Sequence, residues 1–135
     1  MTEINPFIFR AYDFRGKIGI DITPEVFAEV GRAFGTLVRR RGGRAVAPGM
    51  DYRTTSPPLK EAFGAGVLST GLDVVDIGIS HTPLSYFAVA HWNLDGGATV
   101  TGSHNLCSES EESATCSAEE GEMIRTRLQD LGYLE

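Results

Sequence analysis

The chain has 135 residues, 41% of them apolar and 22% charged, a size and balance that fit one globular domain with its own core. No apolar run approaches the ~20 residues that span a bilayer, and the opening Met1-Thr-Glu-Ile-Asn-Pro6 lacks the basic and apolar regions of a secretory signal, so a cytoplasmic location without membrane contact is expected. The net charge of −6 is unevenly spread, with ten Lys/Arg against six Asp/Glu in residues 1–60 and two against twelve in 61–135. An anionic ligand should therefore be held mainly by the first half.

The opening stretch Phe7-Ile-Phe-Arg-Ala-Tyr-Asp-Phe-Arg-Gly16 reads as a first strand or extended segment, with Arg15 near its end. For Tyr12 and Arg15 a surface ion pair with Asp13 is as good a reading as a functional one. Three similar units follow. Thr23-Pro24, Ser56-Pro57 and Thr82-Pro83 each set a capping hydroxyl before a proline that fits the first helical turn, so three helices are expected to start there. The first carries Val26, Val30, Ala33, Leu37 and Val38 on one face and ends in Arg39-Arg40-Arg41 before Gly42, as the dipole and the usual glycine stop favour. That basic cluster is short and lacks interleaved aromatics, which disfavours nucleic acid as a partner. The second helix places Leu59, Phe63 and Val67 on one stripe and stops at Gly71, and the third, Leu84 to about His91, is apolar nearly all round and should be well buried.

Strands are expected at Arg44-Ala-Val-Ala-Pro48, Asp73-Val-Val-Asp-Ile77 and Ala98 to Thr101. With the opening segment they predict a three-layer α/β/α sandwich, its sheet mixed but mostly parallel, with about four strands and helices on both faces. Parallel strands put the loops that follow them on one edge, so residues 49–53, 78–81 and 102–105 should share a crevice. Segment 106–116 is Ser/Glu-rich and reads as a solvated loop, and Ser117-Ala-Glu-Glu120 caps a last amphipathic helix over 118–131. Cys107 and Cys116 lie in that acidic stretch without histidines at zinc spacing and read as free thiols.

The stretch Ala98-Thr-Val-Thr-Gly-Ser-His-Asn105 holds the chemistry, because its strand stops at Gly102 and delivers Ser103 and His104 to the ligand-binding edge. A hydrolase reading fails on spacing: a nucleophile elbow needs Gly-x-Ser-x-Gly, and Thr101 and Asn105 occupy the flanking glycine positions. A loop serine among backbone N–H groups is suited instead to carrying or holding phosphate.

In order and spacing, Phe9-Arg-Ala-Tyr-Asp-Phe-Arg-Gly16, Gly49-x-Asp-x-Arg53 with Ser56, Thr82-Pro83 and Thr101-Gly-Ser-His-Asn105 resemble the first domain of the α-D-phosphohexomutases, the phosphomannomutase/phosphoglucomutase family. The resemblance implies that Ser103 is a phosphoserine that moves phosphate between the 1- and 6-positions of a hexose phosphate through a bisphosphate intermediate. It implies His104 and Asn105 beside the reacting group, Tyr12 and Arg15 lining the site, and Arg53 ordering the loop or supporting phosphate. It also implies Mg2+ held through the Ser103 phosphate, and a hexose 1,6-bisphosphate as primer.

The chain departs from the family pattern at Met50, where an arginine is usual, and after Asn105, where Leu106 and the acidic run stand in place of the proline and the following Tyr-Asn-Gly-x-Lys, whose lysine would assist proton transfer. The resembling proteins have four domains, of which this sequence corresponds to the first. The metal-binding Asp-Gly-Asp loop belongs to the others, and Asp95-Gly96-Gly97 does not replace it. Two expectations follow. Either this is the phosphoserine-bearing domain of a mutase, inactive alone and working with the remaining mutase domains or another chain, or it is a degenerate module that binds phosphate or protein through a surface such domains would cover.

Overall fold

A computed structural model describes residues 4–11 and 13–102. Among the described residues three helices and three strands follow an opening 3-10 turn: helix α1 (Pro24–Arg40), strand β1 (Ala45–Met50), helix α2 (Ser56–Leu68), strand β2 (Asp73–Val74), helix α3 (Thr82–His91) and strand β3 (Gly96–Val100). The strands run in the order β2-β1-β3, both pairings parallel. The glycines opening β3 show how the layers stack, since successive strand residues face opposite sides of a sheet. A Cβ on Gly96 would meet Phe34 of α1, and one on Gly97 would meet Val89 of α3. Helices α1 and α2 therefore cover one face and α3 the other, which is the arrangement right-handed crossovers produce when β1 leads outward to β2 and β2 returns across β1 to β3.

Thr23 caps α1 as its sequence predicts, its hydroxyl accepting the Val26 N–H at 3.3 Å. The other two hydroxyl-proline pairs sit one residue further into their helices. Ser56 is the first residue of α2, where its hydroxyl donates to Asp51, and Thr82 is the first of α3, which is capped instead by His81 Nδ1 accepting from Leu84 N–H at 3.2 Å. Proline fits the second helical position as well as the first, because neither N–H has an intrahelical acceptor.

Helices α1 and α2 meet at backbone distance. A Cβ on Gly31 would run into the Phe63 carbonyl, and one on Gly66 into that of Ala28. Around this crossing Val26, Val30, Phe63 and Val67 join Val46 and Val100 from the sheet in one buried cluster. Arg39 extends from the last turn of α1 to the Thr70 and Gly71 carbonyls beyond the end of α2, at 2.9 and 3.1 Å.

Two expectations are corrected. Among the described residues the opening segment is a 3-10 turn (Pro6–Ile8) and one antiparallel bridge, Phe9 to Phe14, and it adds no strand to the sheet, which has three strands, all parallel. Its hydrogen bonding closes locally: Asn5 Oδ1 accepts the Phe7 N–H, Arg10 N–H bonds Asp13 O, and Arg15 N–H bonds Ile8 O. Ile8, 1% exposed, anchors it to the core. Helix α3 buries only Ser85 and Ala88. Its sheet-facing stripe is small and partly polar, with Ser85 Oγ 2.9 Å from Thr99 Oγ1, so Leu84, Tyr86 and Phe87 remain exposed.

Strand β2 is shorter than the sequence suggests, although the N–H groups of Val75 and Ile77 continue its pairing, to Val46 O at 2.9 Å and Pro48 O at 3.1 Å. No described helix is long and apolar enough to cross a membrane. The expected acidic loop (106–116) and last helix (118–131), and both cysteines, lie outside the described residues.

Candidate functional site

In a 2-1-3 parallel order, ligands bind beyond the carboxyl ends of the strands, at the switch point between β1 and β3. The described loops meet there. Met50 N–H bonds Gly78 O at 3.0 Å and Ser80 N–H bonds Met50 O at 2.8 Å, tying the loop after β2 to the end of β1. Asp51 N–H bonds Val100 O at 2.9 Å, and the Asp51 carboxylate takes the Gly102 N–H at 2.8 Å. As parallel topology leads one to expect, these loops lie together at one edge, as far as Gly102.

Asp51 is the hub. Oδ1 accepts from Ser56 Oγ at 2.5 Å and Arg53 N–H at 3.1 Å, and Oδ2 accepts from Gly102 N–H and pairs with Arg53 Nε at 3.3 Å. Both partners of this ion pair are largely buried, at 15% and 17% side-chain exposure. Burial pushes the Asp51 carboxyl up, but hydrogen bonds from Ser56, Gly102 and Arg53, with the Arg53 charge, outweigh it and hold the group below its ordinary 3.8. The Arg53 guanidinium packs directly on Gly102, so a Cβ there would have to displace that side chain.

The residues expected at the site divide three ways. Arg53 is brought beside Gly102. Arg15 lies in the opening segment in an exposed ion pair with Asp13, Nε to Oδ2 at 2.9 Å, which is its surface reading. Tyr12, Ser103, His104 and Asn105 lie outside the described residues. Sequence reasoning left Asp51, Ser56 and His81 without a role at this edge. The signal for the first two was the Gly-x-Asp-x-Arg spacing with Ser56 following, which puts an aspartate where it can accept from the loop beyond it.

A second aspartate holds the opposite end of the same strand pair. Asp95 Oδ2 accepts from Arg44 and Ala45 N–H at 2.7 and 3.1 Å, and these bonds lower its carboxyl pKa. Among the described residues no group of three His, Cys, Asp or Glu side chains gathers to hold a metal. With the Asp51 oxygens engaged by four donors, these residues do not by themselves fit a resident Mg2+.

These features define an α/β/α domain whose strand-end loops meet at a topological switch point. The family model described as phosphoglucomutase/phosphomannomutase, alpha/beta/alpha domain I, matches residues 6–117, and the chain belongs to that family. It is 45% identical over 100 residues to a phosphoglucomutase/phosphomannomutase of Thermococcus kodakarensis, covering 73% of this chain and 22% of that protein. With a phosphomannomutase of Escherichia coli it shares 43% identity over 105 residues, covering 78% and 22%. A crystal structure of a phosphoglucomutase/phosphomannomutase family protein from Burkholderia thailandensis matches with a TM-score of 0.73 and 34% identity, over 96% of this chain and 31% of that one. The chain thus spans about a fifth of the length of the first of these curated relatives.

Proposed function

We propose that this chain is the phosphoserine-bearing domain of a phosphohexomutase, with Ser103 as phosphoryl carrier. The observation that carries the proposal is the Asp51 to Gly102 bond, which holds the residue before Ser103 at the switch point. Ser103 Oγ would give its phosphoryl group to the free hydroxyl of a hexose phosphate: the Oγ–P bond breaks, the sugar O–P bond forms, and the hydroxyl proton is transferred to the serine oxygen. After the bisphosphate turns over, the reverse exchange takes the other phosphate back onto Ser103. Such transfer is largely positioning and charge stabilisation, in which Arg53 orders the loop while Tyr12, Arg15, His104 and Asn105 line the reacting group. Mg2+ would be held through the Ser103 phosphate, where it would neutralise charge on the transferring group.

The test is incubation of the chain with a hexose 1,6-bisphosphate and Mg2+, followed by intact-mass and peptide mapping. One added phosphate, absent from Ser103→Ala, is expected. Phosphate mapping to Ser108 or Ser110 instead would sink the proposal.

A second reading, a non-catalytic binding module, is favoured by the exposed Leu84, Tyr86 and Phe87 on α3 and by Leu106 with its acidic run after Asn105. Apolar surface of this kind marks a covered face. Persistent absence of phosphate on Ser103 would decide for it.

A further inference from the structure

We propose that Asp51 is the positioning residue of the serine loop, fixing through Gly102 the backbone from which Ser103 presents its hydroxyl; this rests on the phosphoryl-carrier reading above. Two segments converge on one carboxylate. Arg53 and Ser56 belong to the β1–α2 stretch that holds Asp51 itself, and Gly102 follows β3, and all donate to Asp51. The backbone of Asp51 is itself bonded to Val100, at 2.9 Å, so the carboxylate spans from the last residue of β3 to the peptide two residues on. Rotation of the Gly102 peptide would leave a carboxylate oxygen and an N–H unpaired in a largely enclosed place, which is costly. The Arg53 guanidinium packs on Gly102 from the side of its missing Cβ.

Asp51 does not touch the reacting atoms in this assignment. Its contribution is to the orientation of the nucleophile, where a misplacement of about 1 Å can cost ~10²-fold in rate. Asn at 51 preserves shape but removes the charge and presents an N–H₂ group to donors on one side. The Gly102 N–H or the Ser56 and Arg53 donors must then lose their acceptor.

The test follows the rate of phosphate uptake from a hexose 1,6-bisphosphate with Mg2+ by the 135-residue chain, across bisphosphate concentrations, for wild type, Asp51→Asn and Ser56→Ala. Asp51→Asn should slow the limiting rate by at least about tenfold with the half-saturating concentration within about twofold, while Ser56→Ala, which spares the Gly102 bond, is affected less. In wild-type protein the Gly102 amide resonance should move as the Asp51 carboxyl titrates, and this readout requires no variant to fold. A smaller slowing in folded Asp51→Asn, one carried by the half-saturating concentration, or a Gly102 amide indifferent to that titration would overturn the inference and leave the carrier reading standing. A wild-type chain that takes no phosphate would overturn the carrier reading, and the inference with it.

Discussion

Alanine should have opposite effects at two glycines of α2 that lie only two residues apart. In an exposed or roomy helix position, Gly→Ala gains ~1 kcal/mol, because glycine gives up more backbone freedom on folding. Gly64 is such a position, since the nearest atom to its built Cβ is Val74 Cγ1 at 3.9 Å, an ordinary contact. At Gly66 the same methyl would enter the Ala28 carbonyl, and at Gly31, across the crossing, the Phe63 carbonyl. Neither obstacle is a flexible side chain, so the helices must separate. Overpacking of this kind costs ~1–3 kcal/mol, more than the propensity gain returns. Gly31→Ala and Gly66→Ala should therefore lose up to about 2 kcal/mol net, and Gly64→Ala should gain up to about 1 kcal/mol. At several degrees of Tm per kcal/mol for a domain this size, the shifts should be readily resolved by circular dichroism melts of the three variants beside wild type. A Gly66→Ala protein melting at or above wild type, or a Gly64→Ala protein melting below Gly66→Ala, would refute the backbone-contact account of the α1–α2 crossing.

The Lys60–Asp76 pair, Nζ to Oδ1 at 2.7 Å, is asymmetric, with the lysine 9% and the aspartate 56% exposed. Asp76→Asn, which weakens the pairing of a buried ammonium, should therefore destabilise by about 2 kcal/mol in urea unfolding, below the ~3–5 kcal/mol of a fully buried pair, and more than Lys60→Met, which leaves a carboxylate that water reaches. The Asp51 carboxyl lies below its ordinary 3.8 when folded, so its stabilising share is complete above that value and is lost as pH falls through the folded one; the stability gap between wild type and Asp51→Asn should narrow over that acid range and stay constant above it. The isolated chain should show no sustained conversion of glucose 1-phosphate or mannose 1-phosphate with bisphosphate primer and Mg2+, because one domain cannot enclose the sugar against water. Sustained turnover abolished by Ser103→Ala would contradict this.

The elements that sequence patterning located well are those whose signals are local. Thr23-Pro24 caps a helix by contacts within one turn, and the β-branched runs between glycines pair in parallel as their alternation with helices requires. The failures are tertiary. The opening segment has strand composition, yet the bonds of Asn5, Arg10 and Arg15 close it on itself, a choice no propensity encodes. Helix α3 is apolar in composition, but its burial is decided by which side chains face the sheet, and those are Ser85 and Ala88. At the site, the serine loop and Arg53 were legible as motifs. Asp51 was not assigned because, although Arg53 and Ser56 lie within five residues of it, the donor that ties it to the serine loop, Gly102, comes from 51 residues away and is brought to it by the parallel β1–β3 pairing.

The two aspartate clamps give the β1–β3 pair a property of its own. Asp95 grips the amino end of β1 and Asp51 reaches from its carboxyl end to Gly102, so the ladder from Val46–Gly96 to Met50–Val100 is bracketed at both limits. A slip of one residue would turn every side chain to the opposite face and break both brackets together. The height at which the chain leaves the sheet after Val100 is thereby set by bonds lying wholly within residues 44–102. Sequence beyond Asn105 can vary without altering any of those bonds. Frame and payload are separately evolvable, and a loop grafted after Gly102 would inherit its anchoring point from the strands beneath.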